Sequence, residues 1–131
     1  MSGNIEDQEW AKLGISAALL KQYGQDQRLF LERLAAWLEE ILPAETKIKK
    51  RGFFSNKKIE KITLSTGERQ YGIEDPGSGP LRFIRTHVVK GIALKTEEMQ
   101  PDEWLSEFGA IVKERVKGSQ ASLDALSKLV N

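Results

Sequence analysis

The feature that most constrains this chain is a change of hydrophobic period in its middle. On either side of the middle, apolar residues recur at every third or fourth position, which is the spacing of amphipathic helices. Between residues 46 and 95 this period disappears, and short runs rich in β-branched and aromatic residues alternate with turn residues, which is typical of strands. The sequence therefore predicts an α+β fold in the order α-α-β-β-β-β-α-α, whose short strand connections favour a four-stranded antiparallel meander.

The predicted strands cover residues 46–51, 58–65, 69–75 and 81–95. The last one is long, and Gly91 inside it indicates a bulge or a break. Its apolar residues occupy both alternating sets of positions, so we expect both sheet faces to be partly apolar. Two arrangements satisfy this pattern. Either helices flank the sheet on both sides, or one face meets a second subunit.

The four predicted helices flank these strands. Residues 9–23 form the first, and the second begins at the N-cap Asp26 and ends before Pro43, because proline disfavours helical geometry in the preceding residue. The third begins at Pro101, a residue that suits the first helical position. A short fourth helix follows Ser119.

Composition limits the chemistry that the chain can perform. At 131 residues, with 40% hydrophobic and 30% charged residues, we expect one domain over residues 1–131, with residues 1–8 flexible. The absence of cysteine excludes disulfides and thiolate metal ligands, and the single histidine, His87, does not suffice for a zinc site. We expect a cytoplasmic protein, since no apolar run approaches the ~18 residues of a membrane span and residues 13–20 follow acids rather than a signal peptide's basic region.

The near-neutral total charge of +1 hides a segregated pattern. Residues 47–95 contain 12 basic and 4 acidic residues, a net charge of +8. Residues 1–46 carry a net charge of −4, and residues 96–131 a net charge of −3. Basic strands are therefore expected between acidic helices, and those helices could neutralise the strands by lying against them.

The basic charge is densest at the hairpin predicted within residues 47–61, which holds seven basic residues, one acid and two adjacent aromatics. Such a hairpin can bind phosphates through its cations, while phenylalanine stacks on bases or enters a lipid interface. The candidate anion-binding residues are Lys49, Lys50, Arg51, Phe53, Phe54, Lys57 and Lys58. The alternative is structural. Lysines guard edge strands against aggregation, and both phenylalanines fold into the core.

Three functions from different classes follow. A non-enzymatic interaction module that binds other proteins or self-associates as a homodimer is favoured by the two-sided apolar strand, with Phe83, Ile84, Val88 and Ile92 as the candidate interface. The alternative is a binder of an anionic surface, nucleic acid or acidic lipid, through the hairpin. An enzyme is least favoured, because no spacing groups a nucleophile with a base, and we predict no catalytic residue, metal site or cofactor.

Overall fold

The computed structural model describes residues 23–24, 26–53 and 57–116 of the chain. These residues form an α+β fold with one antiparallel sheet, in which each strand pairs with its neighbours in sequence, in the order β1-β2-β3-β4-β5. The elements are α1 (Gln27–Ile41), β1 (Thr46–Arg51), β2 (Lys58–Ser65), β3 (Arg69–Glu74), β4 (Arg82–Val89), β5 (Ile92–Met99) and α2 (Pro101–Val116). Apart from Tyr23, the predicted helix over residues 9–23 lies outside the described residues, as do the predicted helix after Ser119 and residues 54–56 of the predicted hairpin.

The prediction of four strands is wrong, because residues 81–95 contain a tight turn. Lys90 and Gly91 have φ angles of 51° and 79°, and two consecutive left-handed residues are what a type I′ hairpin turn requires. Val89 pairs directly with Ile92 across this turn. The break that Gly91 indicated is therefore confirmed, and the chain continues as a fifth strand to Met99.

Local signals fix both ends of α1 and the start of α2. The Asp26 carboxylate accepts a hydrogen bond from the Leu29 backbone N–H at 3.0 Å, which satisfies one of the free donors of the first turn. At the other end, the Leu42 N–H donates to the Leu38 carbonyl at 2.8 Å, one residue before Pro43. The predicted N-cap, the proline stop and the start of α2 at Pro101 are all confirmed.

Both described helices cover the same face of the sheet, here called the helix face. Trp104 of α2 stacks on Phe108 with ring centroids 4.6 Å apart and meets Phe83 of β4 edge-on at 5.2 Å. The indole N–H of Trp104 donates to the Ile84 carbonyl at 2.9 Å, which ties α2 to β4. The largest buried side chains of this core are Trp104, Tyr71, Phe30, Phe83, Phe108, Leu31, Leu34, Leu38, Leu64 and Ile73.

The direction of the strands places the connections at two ends of the sheet. The segment between β1 and β2 and the loop between β3 and β4 lie at one end, because strand direction alternates in an antiparallel meander. The turn between β2 and β3 and the turn at Lys90 and Gly91 lie at the other end. The basic hairpin and the β4–β5 turn are therefore at opposite ends and on opposite edges of the sheet.

Candidate anion-binding hairpin and apolar patch

The candidate anion-binding residues come together at one end of the sheet. β1 and β2 pair so that Lys50 lies opposite Ile59 and Arg51 opposite Lys58. Lys49, Lys50, Lys57 and Lys58 are exposed. Phe53, in the segment between the two strands, is 82% exposed. The alternative in which Phe53 folds into the core is therefore wrong, and Phe54 lies outside the described residues.

Arg51 differs from the lysines because its charge is held by neighbouring groups. Its guanidinium donates to the Asp75 carbonyl oxygen and lies 3.5 Å from that residue's carboxylate. A Cβ at Gly77 would stand 3.2 Å from Nη1 of Arg51, so the loop backbone itself packs on the guanidinium. Gly77 has a φ of 89°, a conformation that glycine adopts without strain. The loop between β3 and β4 thus fixes the direction of this side chain.

A bulge supplies the acid that pairs with the hairpin. The β1–β2 register shifts between Lys49 and Lys50, which leaves Glu60 as the extra residue of β2. Its carboxylate lies 3.0 Å from the Lys49 ammonium. Within the described part of the chain, Lys50, Lys57 and Lys58 make no such ion pair. Lys47 also makes none with the described residues but lies toward the other end of β1, so three of these four uncompensated charges lie near the segment that contains Phe53.

The sheet face opposite the helices, here called the opposite face, is charge-balanced across its middle strands. Lys61 lies 3.4 Å from Glu74, and Arg82 lies 3.3 Å from the same carboxylate. Arg82 also donates to Glu98 of β5 at 3.0 Å. These pairs form a ladder of alternating charge across β2, β3, β4 and β5. No continuous basic track crosses these four described strands.

The acids that pair with the basic strands come mainly from the strands and their loops. In the described residues, the ion pairs that join a helix to the sheet are those of Glu107 in α2 with Arg85 and Arg69. The other ion pairs of the sheet use Glu60, Glu74, Asp75, Glu97 and Glu98. Among the described residues, the expectation that acidic helices neutralise the basic strands is met by Glu107 of α2.

A partly buried ionic cluster on the helix face surrounds Arg85. Its Nη1 donates to both oxygens of Glu107, at 2.8 and 2.7 Å, and its Nε donates to Glu97 at 3.0 Å. The Tyr71 hydroxyl donates to Glu107 at 3.0 Å. Hydrogen bonds from Arg85 lower the pKa of Glu97, whereas burial raises the pKa of Tyr71. Each of these groups is already engaged, so the cluster holds α2 on the sheet and leaves no free nucleophile or base.

The four residues of the candidate interface do not form one surface. Phe83 is 1% exposed in the core, which removes it from any surface. Ile84 and Val88 are each 7% exposed, and the Ile84 side chain covers Gly72 of β3 on the opposite face. Ile92, at 64%, is the exposed member of the set. The long strand appeared two-sided because β4 buries side chains on both of its faces.

Sequence reasoning missed two residues beside Ile92. Val89 is 41% exposed and Leu94 is 62% exposed, and with Ile92 they form what is here called the apolar patch at the β4–β5 turn. Leu94 is the bulge residue of β5, since His87 pairs with Lys95 but Val88 pairs with Ala93. The Lys90-Gly91 pair was the available signal, because a hairpin turn there places Val89 and Ile92 side by side.

His87 is exposed on β4, and the described residues hold no group of three or more histidines or carboxylates arranged for a metal ion. None of the described helices is both long and apolar enough to cross a membrane. No family model, curated protein or solved structure matches this chain. The function of the protein is therefore inferred from the chemistry of its surface.

Proposed function

We propose that the protein docks reversibly on an anionic phospholipid surface through its basic hairpin. The observation that carries the proposal is the 82% exposure of Phe53 beside the unpaired lysines Lys50, Lys57 and Lys58. An exposed aromatic ring enters the boundary between headgroups and acyl chains, while lysines around it attract anionic headgroups. The protein acts in the cytoplasm in this proposal, where the adjoining leaflet is rich in anionic lipid.

The distribution of charge favours a lipid surface over a nucleic acid. Proteins that bind single strands track the backbone with a positively charged groove over several nucleotides. Here the ladder from Lys61 through Glu74 and Arg82 to Glu98 is neutral, so the free cations do not extend across the sheet. A basic hairpin end from which Phe53 projects fits a planar interface better than a long groove does.

The expected affinity follows from these few groups. Each lysine near an anionic surface contributes about 1 kcal/mol, and full burial of one phenylalanine contributes about 2 kcal/mol. Three lysines and Phe53 together give about 5 kcal/mol, which corresponds to half-maximal binding at roughly 0.2 mM accessible lipid. Binding this weak is reversible, and it should fall when salt screens the lysines.

Sedimentation with vesicles tests the proposal. Phosphatidylcholine vesicles with phosphatidylserine should sediment the protein at low salt, and pure phosphatidylcholine vesicles should not. Phe53→Ser should weaken binding about 30-fold, the equivalent of about 2 kcal/mol. The matched control is Ile92→Ser, which removes another exposed apolar side chain at the far end of the sheet. At a protein concentration where light scattering gives a monomer mass for both proteins, this variant should bind like the parent.

Two double variants, each of which removes two lysine charges, complete the experiment. Lys50→Gln with Lys57→Gln should weaken vesicle binding about 30-fold, because two contributions of about 1 kcal/mol are lost. Lys90→Gln with Lys95→Gln removes the same charge from exposed positions near the other end of the sheet and should have little effect. Equal loss in both double variants, or binding to a single-stranded oligonucleotide but not to vesicles, contradicts the proposal.

Self-association is the second candidate, and the apolar patch is the observation that favours it. Val89, Ile92 and Leu94 are 41%, 64% and 62% exposed on one hairpin, and such a patch on a small protein typically marks an interface. A two-fold axis beside this hairpin would bring two copies of the patch together, since isologous contacts pair a surface with itself. Light scattering after size exclusion should give a dimer mass, and Ile92→Ser with Leu94→Ser should give a monomer. A monomer mass for the parent at about 100 μM excludes this candidate.

A further inference from the structure

A cleft opens beside the loop end of the basic hairpin, where the Arg51–Lys58 pair closes the strands. Its volume is about 630 Å³, within the range of pockets that hold small ligands. The cleft is lined by Arg28 from the first turn of α1, Arg51 and Lys58 from the paired ends of β1 and β2, and Gly52, Asp75 and Gly77 from the adjoining segments. Three cations from three different elements thus converge on one concave surface.

The single acid of the cleft does not neutralise these cations. The Asp75 carboxylate accepts the Gly77 N–H at 2.9 Å and lies 3.5 Å from Arg51, so its charge is directed to that partner. Neither Arg28 nor Lys58 makes an ion pair with any residue that the structure describes. If Arg51 and Asp75 are counted as a neutral pair, Arg28 and Lys58 leave the cleft with an excess of two positive charges.

The backbone of the cleft leaves room for a ligand. Gly52 and Gly77 have φ angles of 107° and 89°, a region in which other residues are strained. Neither residue has a side chain to occupy the space in front of the cations. Arg28 is also in the first turn of its helix, where the dipole disfavours a cation by a few tenths of a kcal/mol. A bound anion would remove that penalty.

We propose that this cleft binds a phosphomonoester dianion, a ligand whose charge matches the excess of Arg28 and Lys58. Arginine suits the purpose because its planar fork donates two parallel hydrogen bonds to phosphate oxygens. This inference goes beyond membrane docking, since it uses Arg28 rather than Phe53 and needs no bilayer. The phosphate belongs either to a soluble molecule or to a lipid headgroup, and the two sources share this chemistry.

Nuclear magnetic resonance with inorganic phosphate tests the site directly. At constant ionic strength, phosphate should shift the amide signals of Gly52, Lys58 and Gly77, whereas chloride should not. Arg28→Gln should weaken phosphate binding about tenfold, which corresponds to one charge-assisted hydrogen bond. Arg33→Gln makes the same change on an exposed position of α1 away from the cleft and should bind like the parent. The inference is overturned if these amides do not shift up to about 20 mM phosphate, or if Arg28→Gln binds as the parent does.

Two further experiments distinguish this cleft from the membrane-docking hairpin and identify the source of the phosphate. Phe53→Ser should bind inorganic phosphate normally, and Arg28→Gln should still sediment with phosphatidylserine vesicles, so either proposal can fail alone. If the ligand is a headgroup, vesicles with phosphatidic acid, a monoester, should bind the parent more tightly than phosphatidylserine vesicles. Arg28→Gln should abolish that preference. Phosphate binding without such a preference assigns the cleft to a soluble phosphomonoester.

Discussion

The contact between Gly72 and Ile84 gives the sharpest test of how the two central strands pair. Gly72 of β3 lies opposite Ile84 of β4. A Cβ added to Gly72 would stand 2.9 Å from Cγ1 and 3.2 Å from Cδ1 of Ile84, closer than side chains pack without moving. Gly72→Ala should therefore displace the isoleucine from a site where it is 93% shielded from water, since its exposed fraction is 7%.

The expected change in the free energy of unfolding of Gly72→Ala follows from two opposing effects. Overpacking of a filled site costs about 1–3 kcal/mol, and replacement of a strand glycine returns up to about 1 kcal/mol through lower backbone entropy in the unfolded chain. We expect Gly72→Ala to lower the free energy of unfolding by about 1 kcal/mol, and the melting temperature by roughly 3 °C. Ile84→Ala alone should cost about 2–4 kcal/mol.

The double variant distinguishes this reasoning from a general effect of the new methyl group. In the Ile84→Ala background the space above Gly72 is free, so Gly72→Ala should be neutral or stabilising. The two substitutions should therefore be non-additive by about 1–2 kcal/mol. Urea unfolding followed by tryptophan fluorescence measures all four proteins, with similar m-values expected throughout. Additive costs, or a parent stabilised by Gly72→Ala, would refute the close contact between Gly72 and Ile84.

Three further predictions concern the helix-face cluster and the β4–β5 turn. Arg85→Gln should lower the free energy of unfolding by about 1–2 kcal/mol in urea, because Glu107 loses its two-oxygen contact. Arg82→Gln should have a clearly smaller effect, because the ion pairs of Arg82 are exposed to water. Arg85 lowers the pKa of Glu97 in the folded protein. The stabilisation given by this ion pair should therefore be complete above the unfolded pKa of 4.5 and be lost as the pH falls through the lowered folded pKa. In acid unfolding, the stability of Arg85→Gln should lack this part of the pH dependence. Gly91→Ala should lower the melting temperature by a few degrees, since φ there is 79° and alanine is strained by about 1 kcal/mol.

Most of the fold could be predicted from short-range signals in the sequence. The Asp26 cap, Pro43, Pro101 and the change of period are short-range features, and each marks an element boundary that the structure reproduces. The turn at Lys90 was harder to assign because a lysine with positive φ has no strong sequence signature, unlike glycine. That one residue is the reason why the sequence pattern predicts a single strand where the structure has β4 and β5.

The candidate site was less predictable, because pairing between distant residues decides which charges are free. Sequence alone places Lys49 and Lys50 side by side, but the bulge at Glu60 pairs the first and not the second. The cleft depends on Arg28, which is 23 positions from Arg51 in sequence and lies in another element. Neither fact follows from local composition. The exposure of Phe53 could not be predicted from the sequence either, because it depends on where the pairing of β1 and β2 ends.

The two surfaces with candidate functions are compatible in one molecule. The hairpin with Phe53 lies at one end of the sheet on the β1 edge, and the patch around Ile92 lies at the other end beside β5. A protein paired through the patch would hold two hairpins away from the pairing contact. Two weak tips acting together bind a surface more tightly than either alone, because the second contact becomes intramolecular.

The depth reached by residue 53 on a membrane tests the central proposal most directly. The chain contains no cysteine, so Phe53→Cys provides a single position for an environment-sensitive fluorophore, and Ser106→Cys on the exposed side of α2 provides the control. The comparison uses phosphatidylserine vesicles at low salt, at a lipid concentration that sediments both labelled proteins. There the label at 53 should shift to the blue and be quenched by lipid-borne quenchers, and the label at 106 should do neither. Unchanged emission at 53, or an equal shift at both positions, would contradict docking through the hairpin.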